Sequence, residues 1–296
     1  MPFKGFRIAT PLKNSLASEL VQTPAGVLPK SNIHAVPHGA LVHQTAIGVQ
    51  VIASNGTILH FVPIPEGKPD VGLLPRLTSN TIGRRNLPNG YLAQANWGNK
   101  GTSPISFFST NWTVPPTPAS WDGQLLYWFN GIEPSSGVGI LQPVLQYGLS
   151  GIGGGRFYSI ASWWLIGNHG YHTNPIEVSP GTSLQGLMTL TGTLTSGNVT
   201  TYNYESTFVG FPNTTISASS TEELKWAFEV LEVYNTKSVS DLPIGNTVFS
   251  GINVTFQNGQ QPSSIPWTTI NHDATDGITM KILSSSGSNG SLLLTY

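Results

Sequence analysis

The sequence predicts an all-β chain made of two antiparallel sheets packed face to face, a β-sandwich or jelly roll, preceded by a small hairpin-containing N-terminal segment. Three observations predict it. Short runs alternating apolar and polar residues recur from Asn96 to the C-terminus. Turn residues separate them, often at the spacing of about 8 to 12 residues that sandwiches show. No stretch has a clear helical period, Lys13 to Leu20 being only a weak candidate. With 296 residues, 39% of them hydrophobic, the chain can bury a sizeable core.

Residues 1 to 85 differ in texture from residues 86 to 296, and the two are read as an N-terminal segment and a sandwich domain. The first holds four of the seven histidines, His34, His38, His43 and His60. It also holds one hairpin signal, Thr45 to Ala53 and Thr57 to Val62 around the turn Ser54-Asn55-Gly56. The pair Arg84-Arg85 lies in a Gly/Asn/Pro-rich linker where a processing protease could cut.

Beyond it, strands are expected over Ile105 to Val114, Gln124 to Ile132, Gly139 to Tyr147, Arg156 to Ile166, Ile176 to Val178, Ser183 to Leu194, Thr200 to Val209, Leu224 to Tyr234, Thr247 to Phe256, Gly277 to Leu283 and Ser291 to Tyr296. Pro143 cannot donate to a ladder, so its strand is expected at an edge or at a bulge.

Only 9% of residues are charged, so the polar surface consists of Ser, Thr, Asn, Gln and Gly, as is common in secreted β-proteins. A net charge of −1 gives no basic field for nucleic acid and no polybasic patch for a membrane. Six Asn-x-Ser/Thr sequons, at Asn55, Asn111, Asn198, Asn213, Asn253 and Asn289, suit a glycosylated surface. Cysteine is absent, which excludes disulfides and thiol nucleophiles. An extracellular location is expected although no signal peptide is visible, and a monomer is expected.

Metal, phosphate and serine chemistry find little support. His169 and His172 stand three apart in an expected loop without a third ligand, and Asp273 and Asp276 lack the spacing of a calcium loop. Gly151 to Gly155 opens no helix, and no Gly-x-Ser-x-Gly elbow occurs. The expected metal and cofactor content is none. What remains is polar groups set in apolar strands. In Trp226 to Tyr234, Glu229 and Glu232 are three apart, so they point to opposite faces of a sheet, and one of them can face a cleft. On Ile140 to Tyr147, Gln142 and Gln146 are four apart and share a face. A carboxylate can move a proton while a nearby carboxamide donates to an oxyanion.

From Asn96 to Tyr296 the chain resembles the eqolisins, the fungal glutamic peptidases. The blocks that carry the resemblance, in order, are Asn96-Trp97-Gly98, Trp112-Thr113-Val114-Pro115, Gly131-Ile132-Glu133, Ile140-Leu141-Gln142, Ser162-Trp163-Trp164, Trp226-Ala227-Phe228-Glu229 and Leu292 to Tyr296. The resemblance implies a secreted peptidase with a concanavalin-like sandwich, acting on polypeptides at acidic pH through a Glu/Gln dyad and an activated water.

It implies Glu229 as general base and Gln142 as its partner. Gln146 is the alternative, because Leu145-Gln146-Tyr147-Gly148 resembles the family's Leu-Gln-Thr-Gly. Trp97, Glu133, Trp163 and Trp226 would line the substrate cleft, and residues 1 to 85 would be a propeptide. The chain departs from the family at Leu165, where an acidic residue is expected, at Glu133 in place of Asp, and in lacking the disulfide. A second reading is a carbohydrate-binding sandwich that kept the aromatic cleft formed by Trp163, Trp164 and Trp226 and lost hydrolysis. A glycanase using Glu133 with Glu229 is a third.

Overall fold

A computed structural model describes residues 19–24, 26–45, 47–63, 87–101 and 103–296. The weak helix candidate (apart from Glu19 and Leu20, of which Leu20 opens a strand), the Arg84-Arg85 pair and the boundary at 85/86 lie outside or at the margin of these residues. Six short strands come first: β1 (Leu20–Thr23), β2 (Gly26–Pro29), β3 (Ile33–Ala35), β4 (Leu41–Thr45), β5 (Gly48–Ile52) and β6 (Ile58–Pro63). The predicted hairpin is β5 and β6, closed by Gly56 donating to the Ala53 carbonyl.

The remaining strands are β7 (Gly90–Gly98), β8 (Ile105–Thr113), β9 (Leu125–Pro134), β10 (Gly139–Ser150), β11 (Gly153–Ile166), β12 (His169–His172), β13 (Ile176–Val178), β14 (Ser183–Ser196), β15 (Val199–Phe208), β16 (Phe211–Ser220), β17 (Leu224–Tyr234), β18 (Asn246–Phe256), β19 (Thr268–Asn271), β20 (Thr279–Ser284) and β21 (Gly290–Thr295). The alternation visible in the sequence is thus realised as strands, and β13 and β17 begin and end where the pattern places them. The pattern did not single out β1 to β4, β7, β16 or β19, and His169–His172, expected in a loop, form β12, paired with β11 and β3.

Among the described residues, two large sheets form. The first runs β19-β7-β17-β9-β10-β11-β12-β3, with β13 also on β11, and the second runs β20-β21-β18-β8-β14-β15-β16-β4-β5-β6. They pack into a sandwich whose shared core includes Trp128, Leu141, Leu145 and Trp164 from the first sheet and Phe108, Trp112, Phe208 and Phe249 from the second. Pairing is antiparallel except at two places. β3 joins β12, and β4 joins β16, both in parallel, so the N-terminal strands extend both sheets.

A second apolar cluster, with Leu125, Tyr127, Phe129, Val144, Trp163, Val230 and Tyr234, covers the opposite, outer face of the first sheet.

The expectation for Pro143 needs correction. β10 is a central strand between β9 and β11, and its register shift lies between Tyr147 and Gly148. The missing donor is accommodated differently: the β10–β9 ladder passes from Leu141↔Ile132 to Val144↔Phe129 and skips Gln142 and Pro143. The bulge needs Gly148, whose φ of 112° is unfavourable for other residues and whose Cβ would collide with the Gln124 carbonyl oxygen.

Candidate active site

Strand register decides which polar groups meet. Side chains directly opposite in an antiparallel ladder share a face. On β17 and β9 the pairs are Glu229↔Asn130 and Glu232↔Tyr127, and on β9 and β10 Tyr127 pairs with Gln146. Glu232, Tyr127 and Gln146 therefore form one line across three strands on the outer face. Glu229 and Asn130 point the other way, into the space between the sheets.

Glu229 is fully buried there, and the Thr110 hydroxyl, on β8 of the second sheet, donates to its Oε1. Its Oε2 has no partner. Burial raises its pKa well above the ordinary carboxylate value, and the Thr110 hydrogen bond offsets part of that rise. Asn130 beside it is also buried and donates to the Gly186 carbonyl at 3.3 Å.

Gln142 lies on the outer face, in register with Trp163. It is fully buried, and neither its Nε2 nor its Oε1 finds a partner. The space beside it exists because residue 131 is Gly, where a Cβ would stand 2.7 Å from Ile140 Cδ1 and 3.5 Å from Gln142 Cβ. The expected dyad of Glu229 and Gln142 is thus split by the thickness of the sheet. The cause is parity: Glu229 has odd parity with the interior residues Ala227 and Leu231, whereas Gln142 alternates with the interior residues Leu141 and Pro143.

Glu232 occupies the outer face instead. It is fully buried, the Tyr234 hydroxyl donates to its Oε1, and its Oε2 has no partner. Burial pushes its pKa up to about 8 against the pull of the Tyr234 hydrogen bond. The Tyr127 and Tyr91 hydroxyls are raised well above their ordinary value, first by burial and then by the Glu232 charge.

Gln146 keeps its carboxamide in the β10–β11 turn, donating to the carbonyls of Gly148 and Gly153 at 2.8 Å each while Ser150 Oγ donates to its Oε1 at 2.8 Å. The same turn is held by β1, which pairs with β2, because Gly151 N–H donates to the Gln22 carbonyl at 2.9 Å.

The expected lining residues divide in the same way. Trp163 and Glu133 are buried on the outer-face parity. Trp226, 38% exposed, stands at the open end of that face, stacked on Phe228 at 6.4 Å. Trp97 pairs with Ala227 and packs against the inter-sheet core beside Phe256.

Trp164 lies between the sheets and Trp163 on the outer face, so the two point away from each other and form no shared aromatic platform for a sugar. Glu133 and Glu229 face opposite sides of the sheet and cannot flank one glycosidic bond. Leu165 sits in the outer-face cluster. The residues that sequence reasoning passed over are Tyr234, Tyr127, Thr110 and Asn130. The first two carry a signal, since Tyr234 shares a face with Glu232 two residues away and Tyr127 lies on the neighbouring strand, but only register makes it readable.

The structure defines an all-β sandwich with a buried carboxyl group and a carboxamide aligned on the outer face of one sheet. Solved structures that resemble it include two of scytalido-glutamic peptidase. One, with a peptide-based transition state analogue, has 15% identity over 70% of this chain and 98% of that chain at a TM-score of 0.46. The other, with a transition state analogue inhibitor, has 16% identity over the same shares at a TM-score of 0.43. At these values the likeness assigns no residue a role, and the roles below rest on register, burial and hydrogen bonding. No family model and no curated protein matches the sequence.

Proposed function

We propose that the protein is an acid-acting endopeptidase whose chemistry lies on the outer face of the first sheet, with Glu232 as the proton-transfer group and Gln146 as its carboxamide partner. The observation that carries this reading is the register line Glu232–Tyr127–Gln146. Two strand spacings separate the end residues, about 9.5 Å between backbones, so the two side chains can reach towards one water and one peptide carbonyl.

The ionised Glu232 takes a proton from the water as its oxygen attacks the carbonyl carbon, then returns that proton to the leaving amine as the C–N bond breaks. The Gln146 amide donates to the oxyanion. Neither a covalent intermediate nor a cofactor enters this scheme. Gln142 and Trp163, farther along the same face, would contact the bound chain.

The described form is a sealed one. Glu232 is fully buried and, with a pKa near 8, holds its proton at acidic pH, while both Gln146 amide protons are engaged in the turn. Opening the face to water lowers the Glu232 pKa towards the ordinary carboxylate range, where it can act as a base in acid. Releasing β1 from Gly151 frees the turn that holds Gln146. This supports reading residues 1 to 85 as a propeptide. An extracellular location fits the sequons, four of which (Asn55, Asn198, Asn213 and Asn289) have exposed asparagines.

Cleavage of a denatured protein between pH 3 and pH 5 tests the proposal, with and without residues 1 to 85. Glu232→Gln should lower turnover on the order of 100- to 10,000-fold, and Gln146→Met should lower it strongly, while Glu229→Gln leaves it within a few-fold. Absence of cleavage by the wild type in every form would remove the enzyme reading. Loss with Glu229→Gln but not Glu232→Gln would move the role back between the sheets.

A further inference from the structure

The histidines of the N-terminal segment and those of β12 meet. His34 on β3 has its Nε2 3.2 Å from His169 Nδ1, and its ring lies 4.5 Å from that of His60 on β6 and 5.0 Å from that of Tyr171. His172, two residues further along β12 than Gly170, bonds the Thr173 carbonyl through Nδ1 at 2.9 Å and packs, tilted by 40°, against Trp163 at 5.0 Å. β3 belongs to the first sheet and β6 to the second, so these rings close the seam where the N-terminal strands extend both sheets. β4 and β5 are anchored apart from these rings, by the β4–β16 ladder and by Val42, Val49 and Val51 in the shared core, whereas β3 pairs with β12 over only three residues and β6 is exposed along most of its length.

We propose that His34, His60, His169 and His172 form a proton-operated latch that fastens β3 and β6 to each other and to β12 at neutral pH and frees them on acidification. The inference stands on the cluster itself and does not depend on the peptidase reading. A neutral imidazole can donate from one ring nitrogen and accept at the other, so His34 and His169 can share a hydrogen bond only while at least one of them is neutral. Once both carry a proton, no acceptor remains and the two rings repel.

Among the described residues, the groups that act electrostatically on His34 are His60, His169 and His172, none of them a carboxylate. Burial first, and these neighbours second, lower His34 to about 4, and burial also lowers His169 and His172.

The sign follows from linkage. A free imidazole titrates near 6.5, above the latched value, so the latched state binds fewer protons between about pH 6.5 and about pH 4. Latching is complete above that window and weakens as pH falls through it. For His34 alone the ceiling is a roughly 300-fold shift, and solvent screening of this half-buried ring reduces it to the order of ten- to a hundredfold. Two nitrogens 3.2 Å apart would also suit chelation, but among the described residues no group of three donors could hold a metal.

Hydrogen exchange of the full chain at pH 7.5, 5.5 and 4.2, corrected for intrinsic rates, tests the latch. Segments 33–35, 58–63 and 169–172 should lose protection at least tenfold on acidification, while 224–234 keeps it. His34→Phe retains a stacking ring without the proton site and should shift the midpoint of the loss downward by about one pH unit. His60→Phe, at an exposed position, should do the same to a smaller degree and serves if the first variant fails to fold. The proposal is overturned if protection is lost uniformly, if it is not lost at all, or if the folded variants keep the wild-type midpoint. It is also overturned if, at constant pH, protection follows added zinc and its chelation.

Discussion

Glu229 and Glu232 stand three residues apart on one strand, are both fully buried, and each accept one hydroxyl hydrogen bond while leaving the other oxygen unpartnered. They differ in what lies above them. Glu229 is bound by Thr110 of the opposite sheet, so reaching it means parting the sandwich. Glu232 is bound by Tyr234 of its own strand, on a face whose end is already open at Trp226. Burial and a raised pKa therefore do not by themselves mark a reactive group. The route by which a substrate can arrive separates the two carboxyls.

The largest expected effect that sharpens this comparison is on stability against pH. Both carboxyls have folded pKa values above the ordinary one, so the folded state binds more protons than the unfolded state between about pH 4.5 and pH 8 for Glu232. Stability from this source is full below that window and is lost as pH rises through it, by several kcal/mol in all for a fully buried group. Urea melts should show a core more stable at pH 4.5 than at pH 8, a slope that Glu232→Gln reduces. This runs opposite to the histidine seam. Acid can loosen β3 and β6 while the sandwich beneath them is at its firmest. A core that weakens towards pH 4.5 would show that both carboxyls are hydrated in solution.

Next in size is the hydroxyl above Glu229. Thr110→Val keeps the volume and deletes the donor, leaving a fully buried carboxyl without a hydrogen bond, at a cost of about 1 to 3 kcal/mol. Chemical denaturation measures that cost, and cleavage should be unchanged. The matching change on the outer face, Tyr234→Phe, removes the donor to Glu232 and raises its pKa further. Its mark should be a pH–rate profile whose rising limb moves to higher pH. If Thr110→Val moves that limb and Tyr234→Phe does not, the assignment of the two faces is reversed.

These two faces also show how far the sequence could be read. Alternation along each strand was visible, because a period of two survives in any half-buried strand. That Glu229 and Glu232 oppose one another was visible for the same reason, and so was the shared face of Gln142 and Gln146. What one strand cannot reveal is which of its faces matches which face of its neighbour. A shift of one residue exchanges the two. Block resemblance supplied a register in which Glu229 met Gln142, whereas the ladders align Glu232 with Gln146.

Pro143 misled in a related way. A missing donor argues for an edge, but a central strand accommodates it by leaving two residues out of one ladder. The pairing of His34 with His169 could not be read at all, since 135 residues separate them and a parallel pairing brings them together.

The smallest expected effect concerns Gln142. Its carboxamide is fully buried with no partner at either end, an arrangement that costs about 1 to 3 kcal/mol for the unmet polar group. Such a group persists when something other than stability maintains it. Gln142→Met keeps the length of the side chain and removes both polar atoms, so the variant should be more stable by about 1 kcal/mol, measured by denaturation. If Gln142 contacts substrate on the opened face, the same variant raises KM a few-fold and leaves kcat nearly intact, because the lost hydrogen bond acts equally in ground and transition states. A large fall in kcat would instead put Gln142 at the reacting carbonyl, and the chemistry would have to lie about four residues further along the strand, towards Phe228 and Gly131. The two kinetic constants of this one variant therefore locate the reaction along the face that Glu232 and Gln146 define.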